Sequence, residues 1–178
     1  MPYLARTHQL NKSLLYHIFN RSNSRVEIFH DIEDYQYFIG LLVDYSENHK
    51  FSIYHWVLMP NHYHLLLEID EPERISSVMA GLARSYVYYH HKKHRSSGHL
   101  WQGRFKSQAI QKEFYLLSCG RYIERNPVKA SMVDIAERYP YSSAAYYVFG
   151  NDDGLTVEDP LFGTFGNQSN HRRQKYKE

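Results

Sequence analysis

Two runs, Phe51–Met59 and His62–Ile69, stand on either side of Pro60-Asn61. They constrain the fold more than any other feature. Both are rich in aromatic and large aliphatic residues and long enough for a strand, and a Pro-Asn step is turn chemistry. They are expected to form a β-hairpin, and the Leu-rich second run reads as a buried, stiff strand. A helix pattern flanks the hairpin on each side. The first is capped by Asp31 or Asp34 and runs to about Asn48, with Tyr35, Phe38, Leu41, Leu42 and Tyr45 on one face. The second runs from Glu71 to His91, with Ile75, Val78, Met79, Leu82, Tyr86 and Tyr89 near one face, and is broken at Ser96-Ser97-Gly98. Leu14–Arg21 alternates as a strand, Leu100–Ile110 reads as a fourth, extended segment, and Glu113–Arg125 as a third helix. The order β-α-β-β-α-β is the ferredoxin-like plan of the α+β class, here with an added C-terminal helix. Beyond Pro140 the pattern weakens, with a short helix starting near Tyr141–Tyr146. Residues 1–165 are expected to form one domain, and 166–178 a basic, mobile tail.

The chain has 178 residues, 43% of them hydrophobic, which is enough for one domain with a core. No apolar run is long enough to span a bilayer, and the start lacks the zones of a secretory signal. The single cysteine, Cys119, excludes an internal disulfide framework and suits a core position. An intracellular setting is the expectation. A net charge of +2 does not by itself announce a nucleic-acid binder. Charge is nevertheless clustered, in His91-Lys-Lys-His-Arg95, at Arg104 and Lys106, and in the last residues from Asn170. Basic groups interleaved with 17 tyrosines suit single strands, whose phosphates meet Lys and Arg while bases stack on rings. A solvated charged surface on a tyrosine-rich core accounts for the same composition.

His62 and His64 are two apart, so in a strand they share a face and can reach one divalent cation. Two unrelated histidines on a half-exposed face would show the same spacing. Tyr122 and Asn126 are four apart and share a face of the third helix. Pro127 disfavours helix at Asn126, which places that residue at the helix end. Tyr122 is thus a candidate nucleophile and Asn126 a candidate third ligand, although Asn126 also suits a plain helix terminus. Two imidazoles and an amide oxygen suit Mn²⁺ better than Mg²⁺, while Mg²⁺ stays open because substrate oxygens and water can complete its shell.

Four stretches carry a resemblance. They are His17-Ile-Phe-Asn-Arg-Ser with Ile28-Phe-His-Asp31; Trp56-Val-Leu-Met-Pro-Asn-His-Tyr-His-Leu; Gly98-His-Leu-Trp-Gln-Gly-Arg-Phe-Lys-Ser107; and Arg121-Tyr-Ile-Glu-Arg-Asn-Pro-Val-Lys-Ala130. In this order, between Leu14 and Tyr147, they resemble the single-tyrosine HUH transposases, and most closely the REP-associated tyrosine transposases. Ser22 departs from the pattern, since relatives often carry Gly there. The resemblance implies a cytoplasmic enzyme, nucleoid-associated when on DNA, that cuts and rejoins single-stranded DNA at hairpin repeats as a monomer or homodimer. Tyr122 would attack phosphorus to give a 5′-phosphotyrosine and a free 3′-hydroxyl. His62, His64 and Asn126 would hold the metal. Trp101 and Arg104 are candidate base contacts, although a strand whose Trp101 and Phe105 pack into the core accounts for them equally; Arg21 and Arg25 are candidate phosphate contacts, and Lys106 a further DNA-binding candidate. Two other classes compete. A non-catalytic single-strand-binding module predicts binding without an adduct. A metal-dependent nuclease using water predicts cleavage that survives Tyr122→Phe.

Overall fold

The computed structural model describes residues 15–110 and 112–177. The elements in chain order are β1 (Leu15–Arg21), α1 (Ile32–His49), β2 (Phe51–Met59), β3 (His62–Ile69), α2 (Ile75–His94), β4 (Lys106–Ile110) and α3 (Lys112–Glu124), followed by the short helices α4 (Asn126–Lys129), α5 (Ala144–Phe149) and α6 (Ser169–Lys177). The four strands form one antiparallel sheet in the order β2-β3-β1-β4. This is the ferredoxin-like arrangement expected from the sequence, and α3 is the added helix. Leu14, the expected start of β1, lies outside the described residues.

Local chemistry explains the boundaries. The Asp31 carboxylate accepts from the Asp34 backbone N–H at 3.1 Å and caps α1. Lys50 and Arg95 end α1 and α2 in the left-handed conformation, with φ of 51° and 48°. The Pro60 carbonyl accepts from the backbone N–H groups of Ile28 and Phe29 at 2.8 and 3.1 Å, which ties the β2–β3 turn to the chain entering α1.

The sheet is covered on both faces, which is why β2 and β3 read as near-continuous apolar runs. On one face Tyr16, Ile18, Leu65 and Leu67 pack against Phe38 and Leu42 of α1 and Val78, Leu82 and Tyr86 of α2. On the other, Leu15, Val57, Met59, Leu66 and Ile110 pack under Leu116 and Ile123 of α3. β2 is a terminal strand whose outer edge would invite pairing with another chain. The later chain closes it: Leu58 donates to the Tyr141 carbonyl at 2.9 Å, Ser143 to Trp56 at 3.1 Å and Val157 to Ile53 at 2.8 Å.

Two expectations are corrected. The extended segment Leu100–Ile110 is a strand only from Lys106. Upstream, Trp101 makes a single bridge to Ser22, and the chain then leaves the ladder around Gly103, whose carbonyl accepts from Asn20 Nδ2 at 3.2 Å. The basic segment expected to be mobile is α6. Tyr176 inserts its ring beside Tyr147 and Phe162, and Arg172 and Lys177 pair with Glu158 and Glu137 at 3.2 and 3.1 Å. A polar composition hid a helix anchored by one aromatic side chain. Glu178 lies outside the described residues.

Candidate active site

Strand register builds the site. His62, His64 and Leu66 of β3 face the α3 side, opposite Arg21, Phe19 and His17 of β1. The two histidine rings stand 5.3 Å apart, centroid to centroid, and nearly perpendicular. His62 Nδ1 lies 2.6 Å from Asn61 Oδ1, an atom that only accepts, so the proton is on Nδ1 and the Nε2 lone pair is free. His64 Nδ1 lies 2.9 Å from His17 Nε2. When His64 donates in that bond, its Nε2 is free as well, and the His17 ring fixes the orientation of the His64 ring. Burial lowers the pKa of His64 to about 3, with His17 and His62 adding to it, and burial lowers that of His17 to about 4. Burial, aided by Arg21, also lowers that of His62. All three rings are neutral at physiological pH, the form a metal needs.

Tyr122 lies across from this pair. Its ring is edge-on to His64 at 6.1 Å and to His17 at 6.3 Å, and 46% of it is exposed. The cleft between them has a volume of about 720 Å³ and is lined in part by His17, Phe19, His64, Gln108 and Tyr122. Lys129 brings its ammonium 4.1 Å from the centroid of the Tyr122 ring. The Asn126 amide NH₂ donates to the Tyr122 and Ile123 carbonyls at 3.0 and 2.9 Å, which closes the end of α3. Those bonds fix the amide's orientation and leave Oδ1 unused by the cap. The capping and ligand readings of Asn126 are therefore compatible. Two imidazole nitrogens and an amide oxygen are neutral donors, and by their chemistry such a set would suit a divalent cation.

α3 is seated with unusual closeness. A Cβ on Gly120 would stand 2.6 Å from the His55 ring, so only glycine lets the helix lie directly on that strand residue. His55 is fully buried and bonds Glu124 through Nδ1 at 2.9 Å and Asp159 through Nε2 at 3.0 Å. Glu124 also accepts from Ser143 Oγ at 2.6 Å and from Tyr176 Oη at 2.7 Å. Two residues after Tyr122, one carboxylate thus joins α3 to β2, to the start of α5 and to α6.

The expected DNA contacts divide. Arg21, Gln102, Arg104 and Lys106 rim a second groove of about 410 Å³ that shares Phe19 with the tyrosine cleft. Arg21 Nε bonds Gln102 Oε1. Arg25 is exposed in the turn after β1, and its carbonyl accepts from Asn61 Nδ2 at 3.0 Å. Trp101 is 9% exposed and packs among Phe38, Tyr63 and Tyr86, the core placement that its segment equally allowed. Ser22 needs no glycine, because its φ is −64°, and its hydroxyl donates to the Val26 carbonyl at 2.6 Å. Of the middle basic cluster, Lys93 and His94 are engaged by Asp34. No motif or spacing marks Lys129, Gly120, Glu124 or His17 as part of the site. His17 sits at an odd position of an alternating strand with Phe19, a signal that could have placed it on the site face.

Two histidines on one face of a ferredoxin-like sheet, with a helix-borne tyrosine opposite, are the plan of the single-tyrosine transposases. The family model described as "Transposase IS200 like" matches residues 11–126, and the chain belongs to that family of enzymes. A Haemophilus influenzae protein with the provisional name REP-associated tyrosine transposase is 30% identical over 108 residues. The match covers 54% of this chain and 61% of the relative, so the chain spans under two thirds of that protein's length. A solved structure of a REP-associated tyrosine transposase bound to a REP hairpin superposes with a TM-score of 0.66 at 22% identity, covering 84% of this chain and 86% of that one. That likeness supports the fold. Among the described residues, no helix is long and apolar enough to cross a membrane.

Proposed function

We propose that the protein cleaves and rejoins single-stranded DNA carrying a hairpin, using Tyr122 as nucleophile. The observation that carries the reading is the position of Tyr122, half exposed and edge-on to His64 across one cleft. In the proposed step Tyr122 Oη attacks a backbone phosphorus, its proton passes to solvent or a DNA oxygen, and the 3′-oxygen leaves as a hydroxyl. One P–O bond forms as another breaks, so the 5′-phosphotyrosine keeps the bond energy for a later attack by a second 3′-hydroxyl. A divalent cation held by His62, His64 and Asn126 would polarise the scissile phosphate. The protein's own groups do the rest. Asn61 and His17 hold the two imidazoles in orientation. Lys129 adds positive charge beside the nucleophile. Arg21, Arg104 and Lys106 line the adjoining groove, where a single strand's phosphates would lie. The hairpin bound by the structural relative motivates the choice of substrate.

Labelled hairpin-bearing single strands, incubated with Mn²⁺, Mg²⁺ or EDTA and run on a denaturing gel, test the proposal. A metal-dependent covalent band that disappears in Tyr122→Phe is the expected result. Cleavage that survives Tyr122→Phe without a band would show a water nuclease, and binding with neither would show a non-catalytic module.

A further inference from the structure

On the opposite side of the sheet, where the chain enters α1 beside the end of α2, three histidines converge. His90 and His94 stand one turn apart on α2, and His30 directly precedes the cap of α1. One ring nitrogen from each lies within 4.8 Å of the other two. The ring centroids are 4.6 Å apart for His30 and His94 and 4.5 Å for His90 and His94. We propose that His30, His90 and His94 form a second metal site, separate from the histidine pair of the cleft, that takes a late first-row divalent cation, with Zn²⁺ the best match.

Three observations argue for ligands over a chance cluster. His90 Nε2 and His30 Nε2 are 3.3 Å apart. Two nitrogens bound tetrahedrally at the usual zinc distance are separated by about 3.3 Å. His94 Nε2 lies 3.1 and 3.0 Å from the two oxygens of Asp34, which leaves Nδ1 as the ligand atom and sets up a carboxylate–histidine–metal relay. His90 Nδ1 is likewise engaged, by Ser96 Oγ at 3.3 Å, which leaves Nε2. Asp34 is itself held, fully buried, by the His30 backbone N–H at 2.8 Å, by Tyr89 Oη at 3.1 Å and by Lys93 at 3.0 Å. A set of imidazoles with no thiolate and no ligating carboxylate selects a borderline cation over Mg²⁺ or Ca²⁺. His30 is exposed, so the fourth position opens to water. Such an ion would clasp the entry of α1 to the end of α2. The entry of α1 is bonded to Pro60, two residues from His62. The sequence signal is His-x-x-x-His on a helix, a ligand spacing concealed inside a run that reads as basic charge.

The test must remove the cleft site first. Full-length His62→Ala/His64→Ala protein, stripped with EDTA, is titrated with Zn²⁺ against a chromophoric chelator, and retained metal is measured after desalting. One bound Zn²⁺ per chain is expected. Adding His30→Ala, at an exposed position, should weaken binding by at least ~100-fold, taking the upper range for disturbing a ligand's support as a floor for losing the ligand. His94→Ala should do the same if His30→Ala is poorly folded by circular dichroism. Co²⁺ in the same background should give the visible absorption of a tetrahedral nitrogen site, lost in both added variants. No retained Zn²⁺ in the double variant, or retention unchanged by His30→Ala and His94→Ala, would overturn the proposal.

Discussion

At the residue scale, the arrangement around His64 makes a prediction that separates orientation from ligation. His17 contacts no expected ligand other than His64, so His17→Ala should cut the rate of adduct formation by about 10–100-fold and raise the Mn²⁺ concentration needed for half-maximal rate. His17→Gln keeps an acceptor and should recover part of the loss, which a merely space-filling role would not give. Metal-titrated adduct assays on both variants check this. Gly120 is a steric case. A methyl there meets the His55 ring, so Gly120→Ala should cost about 1–3 kcal/mol by overpacking and also slow the reaction by shifting Tyr122. Urea denaturation and adduct yield, measured together, check both halves. His62, His64, Tyr122 and Asn126 were legible as candidates because their spacing is local. His17 and Gly120 were not, since each matters through a residue far away in the chain.

At the element scale, α3 is placed by a buried polar network, and that network titrates. Burial alone would lower the His55 pKa, but the hydrogen-bonded carboxylates of Asp159 and Glu124 outweigh it and raise the value to about 9. A histidine raised above its ordinary value stabilises the fold fully below about pH 6.5 and loses that contribution as pH rises through about 9. The denaturant midpoint should therefore fall between pH 7 and 9.5, and His55→Gln should flatten the profile at a lower overall stability. Tyr176→Phe removes a hydrogen bond to the buried Glu124 carboxylate and should cost about 1.5–3 kcal/mol. Faster proteolysis of α6 would accompany the loss. Most elements were legible: β2 and β3 begin and end where turn and cap chemistry put them. α6 was not, because one buried tyrosine anchors an otherwise polar helix. β4 was shorter than its apolar pattern because Trp101 and Phe105 are buried in the core without continuing the ladder.

At the scale of the whole molecule, α3 folds back on the sheet of its own chain, so histidines and tyrosine meet within one polypeptide. A mixture of His64→Ala and Tyr122→Phe proteins should then form no adduct, whereas exchange of α3 between copies would restore it. The sequence by itself determined the order of elements, the sheet face shared by His62 and His64, and the placing of Tyr122 on the third helix. Those follow from periods of two and 3.6 residues, which act over a few neighbours. Only the tertiary structure decided that His17 would touch His64, that Trp101 would be core and not a stacking surface, and that Glu124 would lock α3 to β2 and α6. Each depends on which distant segments exclude water from the same space, and no local periodicity encodes that.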